Sequence, residues 1–104
     1  MNLKGSLPTL ILQNLLRGSN HGYHIAQEIK QSSRGVLDFK EGTLYPALHA
    51  LEAKKLISST TREENGRERR YYKLTEKGKK ALVKERAEWL QFSTAINGIL
   101  QEAT

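Results

Sequence analysis

Hydrophobic positions recur at helical spacing in four separate stretches of the chain. The run Gly18-Ser19-Asn20 predicts the end of the first helix, and Asn20 is expected to cap the second. Thr75 is placed to cap the last helix in the same way. The predicted helices occupy residues 7–17, 21–30, 42–55 and 76–100.

A different pattern separates the third and fourth helices. Leu56–Thr61 is rich in Ile, Ser and Thr, a composition that favours a strand. Asn65-Gly66 is a strong hairpin signal because both positions of the tight turn take positive φ. Arg69–Leu74 then has the alternation of a returning strand. The short apolar stretch Val36–Phe39 admits one further strand before the third helix.

This order of elements predicts a mainly α fold with a small β-hairpin. Residues 1–75 are interpreted as a winged helix-turn-helix domain, and residues 76–104 as a long C-terminal dimerisation helix in the same compact unit. A helix end beside a basic hairpin suits the groove and the phosphates of duplex DNA.

Composition narrows the class of protein. The 104 residues suffice for one domain, and a net charge of +6 with a pI near 9.7 favours polyanions such as nucleic acid. Charge alone leaves a merely basic, soluble domain open. There is no cysteine, no apolar run of the roughly 20 residues that span a bilayer, and no signal-peptide pattern at the start. We therefore expect a cytoplasmic protein that does not bind membranes.

The start of the third helix holds the first group of candidate DNA contacts. Thr43 and Tyr45 offer hydroxyl groups to base edges, and Lys40 offers a cation to a phosphate. His49 follows Tyr45 by one helical turn. The alternative interpretation is that Tyr45 and Pro46 only pack the start of the helix.

The hairpin holds the second group of candidate contacts. Its basic side chains are Arg62, Arg67, Arg69, Arg70 and Lys73. Arginine binds phosphate in a bidentate manner, or enters a narrow minor groove from the tip of a hairpin. Three glutamates offset part of this charge, so an ordinary exposed hairpin laced with charges remains the alternative.

These two segments also carry a resemblance. The stretches Gly42-Thr43-Leu44-Tyr45-Pro46-Ala47-Leu48, Arg69-Arg70-Tyr71-Tyr72 and Leu74-Thr75-Glu76-Lys77-Gly78 resemble the PadR family of bacterial transcriptional regulators. His21-Gly22-Tyr23 is similar to the start of that family's second helix. The single C-terminal helix is similar to the short PadR subfamily.

The resemblance implies a homodimeric repressor that binds a palindromic operator in double-stranded DNA and releases it when a small-molecule effector binds. It assigns DNA contacts to seven positions: Thr43, Tyr45, Pro46, Gly66, Arg67, Arg69 and Arg70. One position departs from the family pattern, because Lys40 stands where a Ser or Thr cap is common. Lys40 is therefore a candidate contact because of its charge alone. Arg62 is a candidate because of its position in the hairpin, and His49 because of its position on the third helix.

The last helix carries a bulky apolar stripe. Its members are Leu82, Trp89, Phe92, Ile96 and Ile99. A stripe of this size exceeds what a small winged domain covers, so it predicts a dimer interface. Packing on the first helix of the same subunit is the alternative, and we expect both. By resemblance, Trp89 also falls where some PadR proteins bind an aromatic or apolar effector, although filling the core or the interface is the favoured role for this side chain.

Enzymatic function is not expected. His21 and His24 stand three residues apart, but no third metal ligand follows at a recognisable spacing, and neither a glycine-rich phosphate loop nor a nucleophile elbow is present. No cofactor is predicted. Two other functions stay open beside an operator-binding repressor: a winged-helix module for protein contacts, and a non-specific nucleic-acid binder.

Overall fold

Helices α1 and α2 frame the first part of the fold. The computed structural model describes residues 3–101. Helix α1 spans Leu3–Leu15, strand β1 spans Asn20–His21 and helix α2 spans Gly22–Ser32. The predicted cap of α2 is wrong by one residue: His21 is the N-cap, and its Nδ1 accepts the backbone N–H of His24.

Helix α3 spans Glu41–Ala53 and is followed by the hairpin and the last helix. Strand β2 covers Ile57–Glu64, strand β3 covers Arg67–Leu74, and helix α4 covers Glu76–Gln101. We call β2, β3 and their turn the wing. Thr75 caps α4 as predicted, because its Oγ1 accepts the N–H of Gly78 at 3.0 Å.

The sheet has three antiparallel strands in the order β1-β3-β2. The predicted extra strand at Val36–Phe39 is wrong, since that segment is an irregular connection in which Phe39 is buried. The third strand is instead β1, whose two residues pair with Tyr72 and Tyr71 of β3. Beyond Tyr71, toward the turn, β3 pairs with β2 alone.

The core joins one face of each helix to the inner face of the sheet. Its largest fully buried members are Leu7, Ile11, Leu12, Ile25, Leu44, Leu48, Ile57, Tyr72 and Leu82. Leu82 lies near the start of α4, where α4 packs on α1. This packing fixes α3 and the wing relative to each other, which is the condition for one binding surface.

Asn20 is the buried polar residue that ties α1, β1 and α2 together. Its side-chain N–H groups donate to Asn14 at 3.0 Å and Glu28 at 2.9 Å, and its oxygen accepts from His21 N–H and His24 Nδ1. All four of its hydrogen-bonding positions are therefore used. Hydrogen bonding from Asn14 lowers the pKa of Glu28, so this carboxylate supports the network in its charged form.

Among residues 3–101, no helix has both the length and the apolar character needed to cross a bilayer. The same part of the chain contains no cluster of three or more His, Asp or Glu side chains that could hold a metal ion.

Candidate nucleic-acid interface

Helix α3 presents two opposite stripes. The buried stripe consists of Leu44, Leu48 and Leu51, which pack into the core as their spacing predicts. The exposed stripe consists of Gly42, Pro46 and His49, one helical turn apart. Most of the exposed side chains are small, so the backbone of α3 can approach another surface closely.

Thr43 and Tyr45 are both half-buried. The ring of Tyr45 lies over Gly22 at the start of α2: a Cβ on Gly22 would stand 2.9 Å from its hydroxyl oxygen and 3.0 Å from its ring carbons. The ring therefore packs α3 against α2, in agreement with the packing interpretation of this tyrosine. Its hydroxyl end borders a cleft described below, so the position is neither interior nor fully outward.

Lys40 is the N-cap residue of α3 and forms no side-chain cap hydrogen bond. Its ammonium group instead donates to Asp38 at 3.1 Å. That hydrogen bond, together with the charges of Lys40 and the nearby Lys30, lowers the pKa of Asp38. A phosphate that recruits Lys40 has to compete with this exposed ion pair, which is worth little in solvent.

The tip of the wing has the predicted tight turn. Asn65 has φ of +52° and Gly66 has φ of +77°, as a type I′ turn requires. Glu64 pairs with Arg67 across the turn. The narrow tip therefore presents backbone and short side chains first, with the arginine side chains behind it.

Three of the wing arginines have internal partners. The guanidinium of Arg62 lies 4.0 Å from the ring centroid of Tyr71, a cation–π contact. Arg69 lies 3.2 Å from Nε2 of His21 and 3.9 Å from Glu64. These contacts hold both guanidinium groups close to the outer face of the sheet.

Arg70 is on the opposite face of β3 and links the wing to α3. It donates to Ser59 of β2 at 2.9 Å, and Ser59 donates in turn to Glu52 of α3. Arg67 is exposed, and no ion pair forms on it within the described part of the chain. Arg67 is thus the wing arginine whose charge is most available to a phosphate.

A cleft brings the two groups of candidates together. It encloses about 430 Å³ between the start of α2, Tyr45 of α3 and the edge of β3. The wing side chains that line it include Arg67, Arg69 and Arg70. Tyr45 therefore lies on the same side of the molecule as these arginines, whereas the DNA contacts of all of them, and those of Thr43, stay a prediction.

His21, Gly22 and Tyr23 also line this cleft, although they were not among the candidate contacts. The sequence contained a signal for them, since a glycine in the first turn of the helix, Gly22, allows the close approach of Tyr45. The contact between His21 and Arg69 joins positions 48 residues apart, and no local pattern reveals such a pair.

The apolar stripe on α4 divides into two parts. Leu82 is only 2% exposed and belongs to the subunit core, so its predicted place on an outward interface is wrong: α1 covers this end of α4. Four members remain exposed, namely Trp89, Phe92, Ile96 and Ile99. The ring centroids of Trp89 and Phe92 are 6.0 Å apart. An exposed apolar patch of this kind marks an interaction surface.

A groove of about 720 Å³ runs between α1 and α4 beside this patch. Pro8, Leu10, Trp89 and Phe92 provide its apolar lining, and Glu85 borders it. Glu85 accepts a hydrogen bond from Thr9 of α1 at 2.6 Å, which fixes the two helices at this point.

Comparison with known proteins agrees with this geometry. The family model of the transcriptional regulator PadR-like family matches residues 11–84. The transcriptional regulator Rv3488 of Mycobacterium tuberculosis is 40% identical over 76 residues, which cover 73% of this chain and 68% of that protein. The match therefore includes α3 and the whole wing.

Two solved structures extend the likeness to the fold. A transcriptional regulator from Clostridium thermocellum is 33% identical and superposes with a TM-score of 0.87, over 93% of this chain and 92% of that one. A PadR family transcription regulator from Clostridium difficile is 35% identical with a TM-score of 0.81, over 92% and 99% of the two chains. This chain belongs to the PadR-like family of transcriptional regulators, with the family's winged helix as its DNA-binding fold.

Proposed function

We propose that this DNA-binding regulator acts in the cytoplasm as a homodimeric repressor that recognises a palindromic operator and leaves it when a small aromatic or apolar effector binds. In this proposal α3 enters the major groove, with Thr43, Tyr45, Pro46 and His49 as its contacts. The wing grips the flanking backbone through Arg62, Gly66, Arg67, Arg69 and Arg70, and Lys40 reaches a further phosphate.

One observation carries the proposal: Tyr45 of α3 and the wing residues Arg67, Arg69 and Arg70 line the same cleft. A recognition helix reads base edges only while neighbouring cations hold the duplex in register. The internal bonds of Arg69 to His21 and of Arg70 to Ser59 hold these two charges at the cleft with little further cost in side-chain entropy.

Arg67→Ala is expected to weaken binding to operator and random duplex DNA alike, by about 1 kcal/mol, or roughly fivefold. Arg67 contacts a phosphate in this proposal, so the slope of log K against log salt should become shallower by about one unit. The operator is first found by footprinting the DNA around the protein's own coding region. Fluorescence anisotropy then measures both duplexes over a salt series.

Arg86→Ala is the matched control, because Arg86 is exposed on α4 and its loss removes the same charge away from the wing. It should leave the salt slope unchanged. Equal slopes for Arg67→Ala and the parent protein would contradict the wing contact. A parent protein that binds operator and random DNA equally would favour the non-specific binder, and one that binds neither would favour a module for protein contacts.

The same proposal gives the exposed part of α4 two roles. Pairing this helix with its copy in a second subunit buries Trp89, Phe92, Ile96 and Ile99, and a two-fold axis there sets two α3 helices about 34 Å apart. The groove beside Trp89 and Phe92 lies at the edge of such an interface. An effector seated there can change the distance between the two reading helices, and with it the affinity for the operator.

Planar aromatic probes are expected to quench the fluorescence of Trp89 and to release the operator over the same concentration range. Trp89 is the one tryptophan of the chain, so its emission reports this groove alone. Trp89→Leu should weaken probe binding, measured by calorimetry, by about tenfold because ring stacking is lost. Gln91→Ala, on the other side of α4, should bind probes like the parent. Quenching without release would contradict the effector role.

A further inference from the structure

The imidazole of His21 lies where β1, α2 and the wing meet. Its Nδ1 accepts the backbone N–H of His24 at 3.4 Å as the cap of α2, and its Nε2 lies 3.2 Å from Nη1 of Arg69. A backbone N–H and a guanidinium N–H can only donate hydrogen bonds. Both ring nitrogens of His21 therefore face donors.

The two donors that face His21 need two acceptor nitrogens, and its neutral ring has one. A neutral imidazole has one N–H and one acceptor nitrogen, so His21 can accept from His24 or from Arg69, but not from both. When Nδ1 serves as the helix cap, Nε2 carries its hydrogen beside the cation of Arg69. Two adjacent donors without a common acceptor are the arrangement that an oxyanion binds.

The nearby carboxylate does not fill this need. Glu64 accepts the hydroxyl hydrogen of Tyr71 at 2.7 Å and stands 3.9 Å from Arg69, too far for a direct hydrogen bond. The cleft beside these groups is open to solvent and is lined by the exposed Glu68 as well as by Arg67, Arg69 and Arg70, so its cations outnumber its carboxylates. An anion that enters the cleft thus meets several donors and a local excess of positive charge.

We propose that Nε2–H of His21 and the guanidinium of Arg69 together bind one phosphate of the DNA backbone, and that His21 takes up a proton as this phosphate binds. The inference rests on the proposed function, since the duplex that supplies the phosphate is the one bound by α3 and the wing. It adds the start of α2 to the DNA interface, and it makes affinity for DNA depend on pH.

The groups around His21 set the direction of that dependence. They come from every element around it: His24 of α2, Tyr45 of α3 and Glu64 of β2, together with Arg69, Tyr71 and the cleft-lining Glu68 of β3. In the protein without DNA, burial lowers the pKa of His21 from its ordinary value of 6.5. The charges of Arg69 and His24 lower this pKa further, while the charge of Glu64 raises it.

A bound phosphate adds negative charge and raises the pKa of His21 again. Affinity for DNA should therefore strengthen as the pH falls through the pKa of the bound state, and level off below the pKa of the free protein. Each unit between the two pKa values corresponds to about tenfold in affinity. The imidazolium gives up its acceptor at Nδ1, which costs only the long cap contact of 3.4 Å.

His21→Asn separates the two roles of this side chain. Asparagine is a preferred N-cap, so it keeps the bond to the N–H of His24, but it is too short to meet Arg69 and does not titrate. We expect the variant to unfold at the same urea concentration as the parent. Its affinity for a random duplex of about three helical turns should be roughly fivefold weaker near pH 6, and nearly independent of pH up to about pH 8.

Histidine NMR spectra give the direct measurement. The imidazole signal of His21 should report a higher pKa with the duplex than without it, and its assignment comes from its loss in His21→Asn. His24→Gln is the matched control, because it removes another exposed imidazole from the same end of α2. Because the charge of His24 lowers the pKa of His21, this control should keep a pH-dependent affinity, with the change moved to slightly higher pH.

Several outcomes would overturn the inference. If His21→Asn keeps both the affinity and the pH dependence while Arg67→Ala loses affinity, the wing binds DNA and this phosphate contact is wrong. If inorganic phosphate raises the pKa of His21 and the duplex does not, the site takes free phosphate. A parent protein that binds no duplex at low salt would overturn this inference and the proposed function together.

Discussion

Gly78→Ala is expected to destabilise the protein by about 3 kcal/mol or more, although alanine is the better helix former by about 1 kcal/mol. A Cβ on Gly78 would stand 2.0 Å from the carbonyl oxygen of Leu56 and 2.8 Å from Cδ1 of Leu74. The oxygen cannot retreat freely, because it accepts the N–H of Thr75 at 3.1 Å and shares the Thr75 hydroxyl hydrogen with the carbonyl of Lys55. Urea unfolding followed by circular dichroism, at one fixed protein concentration, measures the loss.

Gly98→Ala is the matched control on the same helix. A Cβ on Gly98 would have no atom within 4 Å, so only the helix propensity changes, and stability should rise by up to about 1 kcal/mol. Two variants with identical chemistry are thus expected to shift stability in opposite directions. If Gly78→Ala unfolds within about 0.5 kcal/mol of the parent, the start of α4 does not pack closely on Leu56, the residue that precedes β2.

The same position shows how far the sequence could predict this fold. The motif Leu74-Thr75-x-x-Gly78 signals a capped helix start from local chemistry, and Asn65-Gly66 signals a turn because positive φ is a property of those residues. Both predictions are confirmed. The reason that Gly78 has to lack a side chain is the carbonyl of Leu56, 22 positions earlier in the chain, which a local pattern cannot reveal.

Contacts between distant parts of the chain also explain two wrong predictions, the strand at Val36–Phe39 and the outward position of Leu82. Val36–Phe39 has a strand-like composition, yet the edge of β3 is taken by Asn20–His21, and which segment reaches that edge depends on how α1 and α2 pack. Leu82 and Trp89 share a stripe on α4, but the way α4 packs on the rest of the subunit leaves the first buried and the second 48% exposed.

For the candidate DNA contacts too, the sequence predicted the residues but not their arrangement in space. Their identity was predicted from residue type, because arginine on a hairpin beside a helix start is chemistry that phosphates select. Their arrangement was not: Arg70 reaches α3 through Ser59 and Glu52, while Arg69 reaches His21. The alternation of side chains along β3 puts the two arginines on opposite faces, where they meet different partners.

Ile96→Glu is expected to convert the proposed dimer to a monomer and to weaken operator binding by about 100-fold or more. Ile96 is 39% exposed in the middle of the apolar patch on α4, so its partner surface is the equivalent patch of a second copy. A carboxylate buried there without a partner costs several kcal/mol. The monomer then binds each half-site separately and loses the gain in affinity from linked binding.

Sedimentation measures the dimer, and fluorescence anisotropy measures operator binding at the same protein concentrations. Gln91→Glu is the matched control, since it places the same carboxylate on the other side of α4, where residues are exposed. It should remain dimeric and bind like the parent. A dimer that persists in Ile96→Glu with full operator affinity would move the interface away from α4. A monomer that keeps full affinity would instead show that one subunit is sufficient, because the wing and α3 of a single chain would then supply the whole interface with DNA.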